Sequence, residues 1–277
     1  MSAVESVPAV TLNNAVRMPA IGFGVFRIPD DIMDATVQEA LAAGYRAFDT
    51  APMYGNEEPL GRALADSGID RADLFVTTKV SNEDQGYQST LGAVEASIGR
   101  LGMDHLDLCL IHWPAPGRGT YLETWRALEQ LHSAGRIRAI GVSNFQADHL
   151  HRLLEVADVV PAVNQIELHP LLTQQSMLNL HHDLGIHTQA WAPLARGRLQ
   201  DEPVLVALAQ RHGVSIAQIV LRWHLQRGTT PLPKSSSPER IHSNIDVFGF
   251  ELDTAEMGQI TAMNRDERTG PHPDDVH

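Results

Sequence analysis

Two rhythms of apolar residues alternate along this chain. Short continuous apolar runs are followed by longer stretches in which apolar residues return about every three to four positions, the spacing of one helix face. The run at 21–26 leads into a stretch with Met33, Val37, Ala40 and Leu41 at helical spacing, which Gly44 ends. Further runs lie at 45–48, 74–79, 106–112, 137–142, 161–165, 186–191 and 229–233. Gly68, Gly102, Gly135, Gly185 and Gly228 precede most of them, as residues suited to a left-handed helix end. About eight strand-and-helix units result. Strands buried on both faces and alternating with helices require a parallel sheet covered by helices. An open doubly wound sheet satisfies that pattern, as does a closed barrel. The 277 residues contain no Pro-, Gly- or Ser-rich linker and no shift in composition, so one (β/α)8 TIM-barrel domain over 1–277 fits better than two domains.

Some segments fall outside the repeat. Residues 9–12 and 16–19, joined by Asn13-Asn14, read as an N-terminal β-hairpin that caps or plugs the fold, since Asn tolerates the positive φ of a tight turn. Residues 201–213 read as an extra helix ahead of the one carrying Ile216, Ile219, Val220 and Trp223, for one or two extra helices in all. Residues 264–277 read as a C-terminal tail.

Composition narrows the function classes. A 43% hydrophobic chain of this length can bury a large core, and it has no apolar run long enough to span a membrane. Met1 to Val10 lacks a basic flank and an apolar segment, so the expectation is an unexported, cytoplasmic protein. The single cysteine, Cys109, sits in an apolar run and reads as a small core residue, in keeping with a reducing compartment. A net charge of −13 argues against nucleic acid or an anionic membrane as a partner. The fourteen histidines, His181-His182 and the tail residues His272 and His277 among them, show no metal-binding spacing; they read as solvated, and no metal is expected. Gly22-Phe23-Gly24 is no dinucleotide fingerprint, because Arg27 stands where a third glycine belongs; it reads as a strand end against which a ligand packs.

Candidate chemistry gathers where the strands stop. The second unit ends in Asp49, with Tyr54 on the loop after it; the third ends in Lys79 and the fourth in His112. Any one of these alone is explained as a polar residue flanking a strand. Together, at the same end of successive strands, they point to a site on the rim that barrel loops build. A buried lysine and aspartate satisfy each other as an ion pair. A tyrosine, with an ordinary pKa near 10, gives up its proton at neutral pH only where a cation such as Lys79 stabilises the phenolate. His112 can donate a hydrogen bond to a carbonyl oxygen, so the set suits protonation of a developing alkoxide.

A reductant site is suggested farther on. Residues 233–240, Pro-Lys-Ser-Ser-Ser-Pro-Glu-Arg, close the last strand and open a helix with Ser237 as N-cap and Pro238 at its first position. Backbone N–H groups there bind phosphate, and Lys234 and Arg240 add the charge for a dianion, which suits NADPH better than NADH.

At this point the chain resembles the aldo-keto reductase family over essentially its full length. Asp49, Tyr54 in Tyr-Gly-Asn-Glu, Lys79 in Thr-Thr-Lys and His112 in Ile-His-Trp-Pro match the family's catalytic tetrad. Gly141-Val142-Ser143-Asn144-Phe145 and Asn164-Gln165-Ile166-Glu167 resemble the segments that hold the nicotinamide carboxamide, implicating Ser143, Asn144 and Gln165. Trp191 falls where the family stacks an aromatic on the nicotinamide, and the loop 192–197 resembles its pyrophosphate loop, implicating Leu194, Arg196 and Gly197. The segment with Lys234, Ser235, Arg240 and Asn244 resembles its adenosine 2′-phosphate and adenine site. The resemblance is nearest to the prokaryotic 2,5-diketo-D-gluconate reductase group. It implies an NADPH/NADP+-dependent, monomeric reductase of small-molecule aldehydes or ketones of dicarbonyl or keto-sugar type.

The chain departs from the pattern in two places. Val80-Ser81-Asn82 follows Lys79 where many relatives carry a tryptophan, and the loop from His112 to Tyr121 is short. A shallow substrate pocket lined by Phe26, Met53, Tyr54 and Trp113 is expected. Two alternatives stay open: a generalist that removes reactive aldehydes such as methylglyoxal, and a non-catalytic NADPH-binding redox sensor, which has no need of Tyr54 and Lys79 together.

Overall fold

The computed structural model of the protein describes residues 7–277, so most of the Met1–Val10 reading lies outside the described residues. Strands β1 (Ala9–Thr11) and β2 (Arg17–Pro19) form the expected antiparallel hairpin. Then come β3 (Phe23–Gly24), α1 (Asp30–Ala43), β4 (Ala47–Asp49), α2 (Glu57–Ala65), β5 (Phe75–Val80), α3 (Tyr87–Leu101), β6 (Leu106–Ile111) and α4 (Tyr121–Ser133). The second half runs β7 (Ile137–Ser143), α5 (Ala147–Leu154), β8 (Val163–Glu167), α6 (Gln175–Leu184), β9 (His187–Trp191), α7 (Pro203–His212), α8 (Ile216–Gln226), β10 (Thr230–Pro231), α9 (Pro238–Ile245) and α10 (Thr254–Thr261).

Strands β3 to β10 pair in parallel with each neighbour in chain order. The ring closes between its first and last strands, where Gly22 N–H donates to Pro231 O and Gly24 N–H to Pro233 O, each at 3.1 Å. This is a (β/α)8 barrel, with α7 and α10 outside the repeat. The first strand is shorter than the apolar run 21–26 suggests, because only Phe23 and Gly24 keep register with Phe48 and Asp49. No single helix among the described residues is long and apolar enough to cross a membrane.

The larger core lies between strands and helices and holds Trp125, Trp223 and the Phe23–Tyr45 edge contact. A second, smaller core contains Leu12 and Met18 from the hairpin together with Phe75, Leu108, Leu110 and Val163 from the barrel strands. The hairpin therefore stoppers one end of the barrel, which leaves the other end for chemistry.

One expectation fails here. His181 is not solvated: it is 1% exposed, its Nε2 accepts from Asn164 Nδ2 at 2.9 Å, and its Nδ1 sits 2.8 Å from Thr188 Oγ1. Its place four residues after buried Met177 put it on the inner face of α6. His224 is likewise fully buried, against Thr229. Burial pushes His181 down from 6.5 to about 4 and His224 to about 3, so each takes up a proton in the unfolded chain well before it does in the folded one. Stability from these groups is complete above pH 6.5 and drains away as pH falls through 6.5 towards 4. The melting temperature is expected to be lower at pH 5 than at pH 7.5 by on the order of 10 °C, and an unchanged value would show that these imidazoles charge without unfolding.

Candidate active site

The ends of β4, β5 and β6 converge on one point. Lys79 Nζ, on a side chain 1% exposed, donates to Asp49 Oδ1 at 2.6 Å, to Thr50 O at 2.9 Å and to the Tyr54 hydroxyl at 3.4 Å. Burial disfavours the Lys79 charge, but the Asp49 and Tyr54 oxygens outweigh it and raise its pKa above the usual lysine value. Lys79 is an ammonium.

Tyr54 closes a 3-10 turn, Pro52–Tyr54, that the left-handed Gly55 terminates. Burial raises the phenol's pKa, Lys79 lowers it and Asp49 raises it, with a net rise. The ammonium is nearer to Asp49 than to the phenol, so Tyr54 keeps its proton in the free protein and is poised as a donor.

His112 presents its ring edge-on to Tyr54, with centroids 5.9 Å apart. Burial, then the Lys79 charge, holds it well below the usual histidine pKa, and its buried Nδ1 has no partner among the described residues. A neutral imidazole with an uncommitted nitrogen is a hydrogen-bonding group in reserve.

Further along the sheet, Gln165 Nε2 donates to Asp49 Oδ2 at 2.7 Å and to Gln189 Oε1 at 3.1 Å. Ser143 Oγ donates to Gln165 O, and Asn144, at a left-handed φ of 65°, donates to His112 O and accepts from Trp191 Nε1 at 2.7 Å. The three residues matched to the carboxamide site thus also brace the tetrad.

One cavity of about 460 Å³ borders this cluster, with Lys79 buried behind its wall. Asp49, Tyr54 and His112 form one wall, and Phe26, Met53 and Trp113 stand at the mouth, with Phe26 40% and Met53 63% exposed. No residue of 80–85 lines the cavity, so Val80-Ser81-Asn82 builds none of its wall. Trp191, Leu194 and Arg196 line the opposite side.

Lys234 lines the cavity as well, whereas Gly197, Ser235, Arg240 and Asn244 do not, the last two lying on α9. Burial, then the Arg240 charge, lowers the Lys234 pKa. Ser237 occupies the N-cap of α9, but its hydroxyl makes no cap bond; its N–H instead donates to Ser235 Oγ at 3.1 Å.

Sequence reasoning did not assign Arg27 and Pro271 to the site. Arg27 adopts a left-handed φ of 58°, a conformation that costs a non-glycine residue about 1 kcal/mol, and stacks its guanidinium on Phe26 at 5.0 Å in the cavity wall. Its place just after a strand end was the available signal. Pro271 arrives from the folded-back tail, which no local pattern announces.

Arg27, Arg196 and Lys234 bring three cations to one cavity in a chain of net charge −13. Beside them is the indole of Trp191, with the Arg196 guanidinium 5.9 Å from its ring centroid. Such a donor set fits a phosphorylated dinucleotide. The aldo/keto reductase family model matches residues 20–265. The chain belongs to the aldo/keto reductase family. It is similar to an aldo-keto reductase of Mycobacterium sp. (strain JLS), 50% identical over 96% of each chain. It is also similar to the glyoxal reductase of Bacillus subtilis (strain 168), 49% identical over 96% of each chain. Among solved structures, a Gox0644 mutant in complex with NADPH matches with a TM-score of 0.95 at 43% identity, over 99% of this chain and 100% of that one. This aldo/keto reductase is an NADP-dependent oxidoreductase acting on carbonyl groups.

Proposed function

We propose that the chain works as a one-domain, monomeric reductase of small dicarbonyl or keto-sugar substrates, with Tyr54 as the general acid. The observation that carries this reading is the hydrogen-bonded series Asp49–Lys79–Tyr54 on the wall of the cavity that also holds the cations. Bound NADPH supplies hydride to the carbonyl carbon. Tyr54 gives its phenolic proton to the carbonyl oxygen as negative charge builds there, and Lys79 stabilises the phenolate left behind. Asp49 and Thr50 O fix the ammonium. Neutral His112 donates to the same carbonyl oxygen and sets its direction.

Ser143, Asn144 and Gln165 would hold the carboxamide, with Trp191 against the nicotinamide. Leu194, Arg196 and Gly197 would serve the pyrophosphate. Lys234, Ser235 and Arg240 would take the 2′-phosphate, with Asn244 for the adenine. Support for a small, reactive substrate comes from the glyoxal reductase likeness and from the part-exposed Phe26 and Met53 that line the cavity with Trp113.

Steady-state NADPH oxidation with glyoxal, methylglyoxal and keto sugars tests the reading. Turnover of the dicarbonyls is expected, and a chain that binds NADPH tightly yet reduces no aldehyde or ketone would be a sensor instead. Arg240→Ala is expected to weaken NADPH about tenfold or more and NADH less than about twofold, the loss of one charge-assisted phosphate contact. Equal weakening of both nucleotides would place the 2′-phosphate elsewhere.

A further inference from the structure

The tail leaves α10 and turns back across the open end of the barrel. Arg265 N–H and Glu267 N–H both donate to Leu171 O at 3.1 Å. Thr269 then donates twice to Glu167 Oε1, from its N–H at 2.6 Å and its hydroxyl at 2.5 Å, and Gly270 N–H reaches Oε2 at 3.3 Å. Farther on, Asp274 lies 3.6 Å from His149 Nε2. The tail is thus a strap, and its densest fastening is a carboxylate at the end of β8.

Glu167 takes no part in the proton path. Its side chain is fully buried, and His169 Nε2 at 3.2 Å and Arg268 at 3.9 Å complete its surroundings. Burying a charge is costly unless hydrogen bonds repay it, and filling space alone would be served by an apolar side chain. In the barrel register Glu167 is the partner of Trp191. The strap delivers Gly270 onto the Trp191 ring so closely that an added Cβ would stand 2.6 Å from Cη2. The indole is therefore held at both ends, by Asn144 at Nε1 and by the Gly270 backbone at its benzo edge. Pro271, next in the chain, is already in the cavity wall.

We propose that Glu167 is a positioning residue for the cofactor: its carboxylate latches Thr269 and Gly270 so that Gly270 fixes the Trp191 ring in the cavity wall, and this sets the affinity for NADPH. The inference rests on the reading of the cavity given above, with Trp191 against the nicotinamide. An amide at position 167 has one acceptor oxygen instead of two and must turn its NH2 towards a donor. Glu167→Gln therefore releases the strap without altering its shape. Gly270→Ala reaches the same end from the other side, keeping the carboxylate but forcing the strap off the indole.

Titration by the fluorescence of bound NADPH would give Kd for wild type, the two single variants and the double. Each single change is expected to raise Kd about tenfold and the double no further than about twofold beyond that, because both undo one contact. Unchanged affinity in the singles, or a roughly hundredfold loss in the double, overturns the latch. Trypsin provides a readout without cofactor. Release of the peptide after Arg268 from the apo protein should be about tenfold faster in both singles, as local opening becomes easier. An unchanged rate overturns the proposal too. A wild-type chain that did not bind NADPH would instead remove the underlying reading of the cavity.

Discussion

Replacing Tyr54 with Phe is expected to lower kcat for carbonyl reduction by about three orders of magnitude and to leave NADPH affinity within about twofold. Only the hydroxyl is lost. The ring keeps its tilted contact with Phe26 at 4.8 Å and its edge contact with His112, so the cavity wall keeps its shape. Lys79 gives up a 3.4 Å contact and retains the two shorter ones, to Asp49 and Thr50. A fall in kcat and kcat/KM together marks an interaction made in the transition state. Single-turnover rates with NADPH and glyoxal, beside a binding titration, would measure both quantities. A variant that reduces the substrate at near-normal rate would remove Tyr54 from the role of acid.

Lys79→Met should damage the fold as well as the chemistry. It strands Asp49, 6% exposed, with Gln165 as its remaining donor. Removing one partner of a buried pair costs about 3–5 kcal/mol, which in a chain of this size lowers the melting temperature by roughly 10 °C. Adding Asp49→Leu to the same chain is expected to recover part of that stability and none of the turnover, because the uncompensated charge goes while the proton path stays broken. Thermal melts of the single and double variants decide the matter. A Lys79→Met chain as stable as wild type would mean that water solvates Asp49 in place of the ammonium.

The barrel and the clustering of Asp49, Tyr54, Lys79 and His112 were legible because both are written locally. Apolar runs ending in Asp49, Lys79 and His112 mark three strands and the end at which they stop, and parallel pairing brings those ends together without further information. What escaped was written at long range or in backbone geometry. Pro271 reaches the cavity on a strap whose preceding residues, Thr269 and Gly270, bond to Glu167 from across the chain. Arg27 reads as a broken glycine motif until its left-handed backbone is seen to aim a guanidinium at the cavity. His181 was misjudged for a simpler reason. Paired with exposed His182, it looked solvated, although the spacing from Met177 placed it on the inner face of its helix.

The seam between β3 and β10 has a consequence for how the molecule is made. Its two hydrogen bonds join Gly22 to Pro231 and Gly24 to Pro233, near opposite ends of the chain. A nascent chain cannot complete the ring until residues beyond 230 have left the ribosome, and until then β3 and β9 present bare edges open to wrong pairing. The strand that closes the ring is also the one that leads into Lys234 and α9. On the proposed reading of Lys234 and α9, a nucleotide held there would clasp the last strand of the ring to arrive, and cofactor would then stabilise the closed ring by mass action.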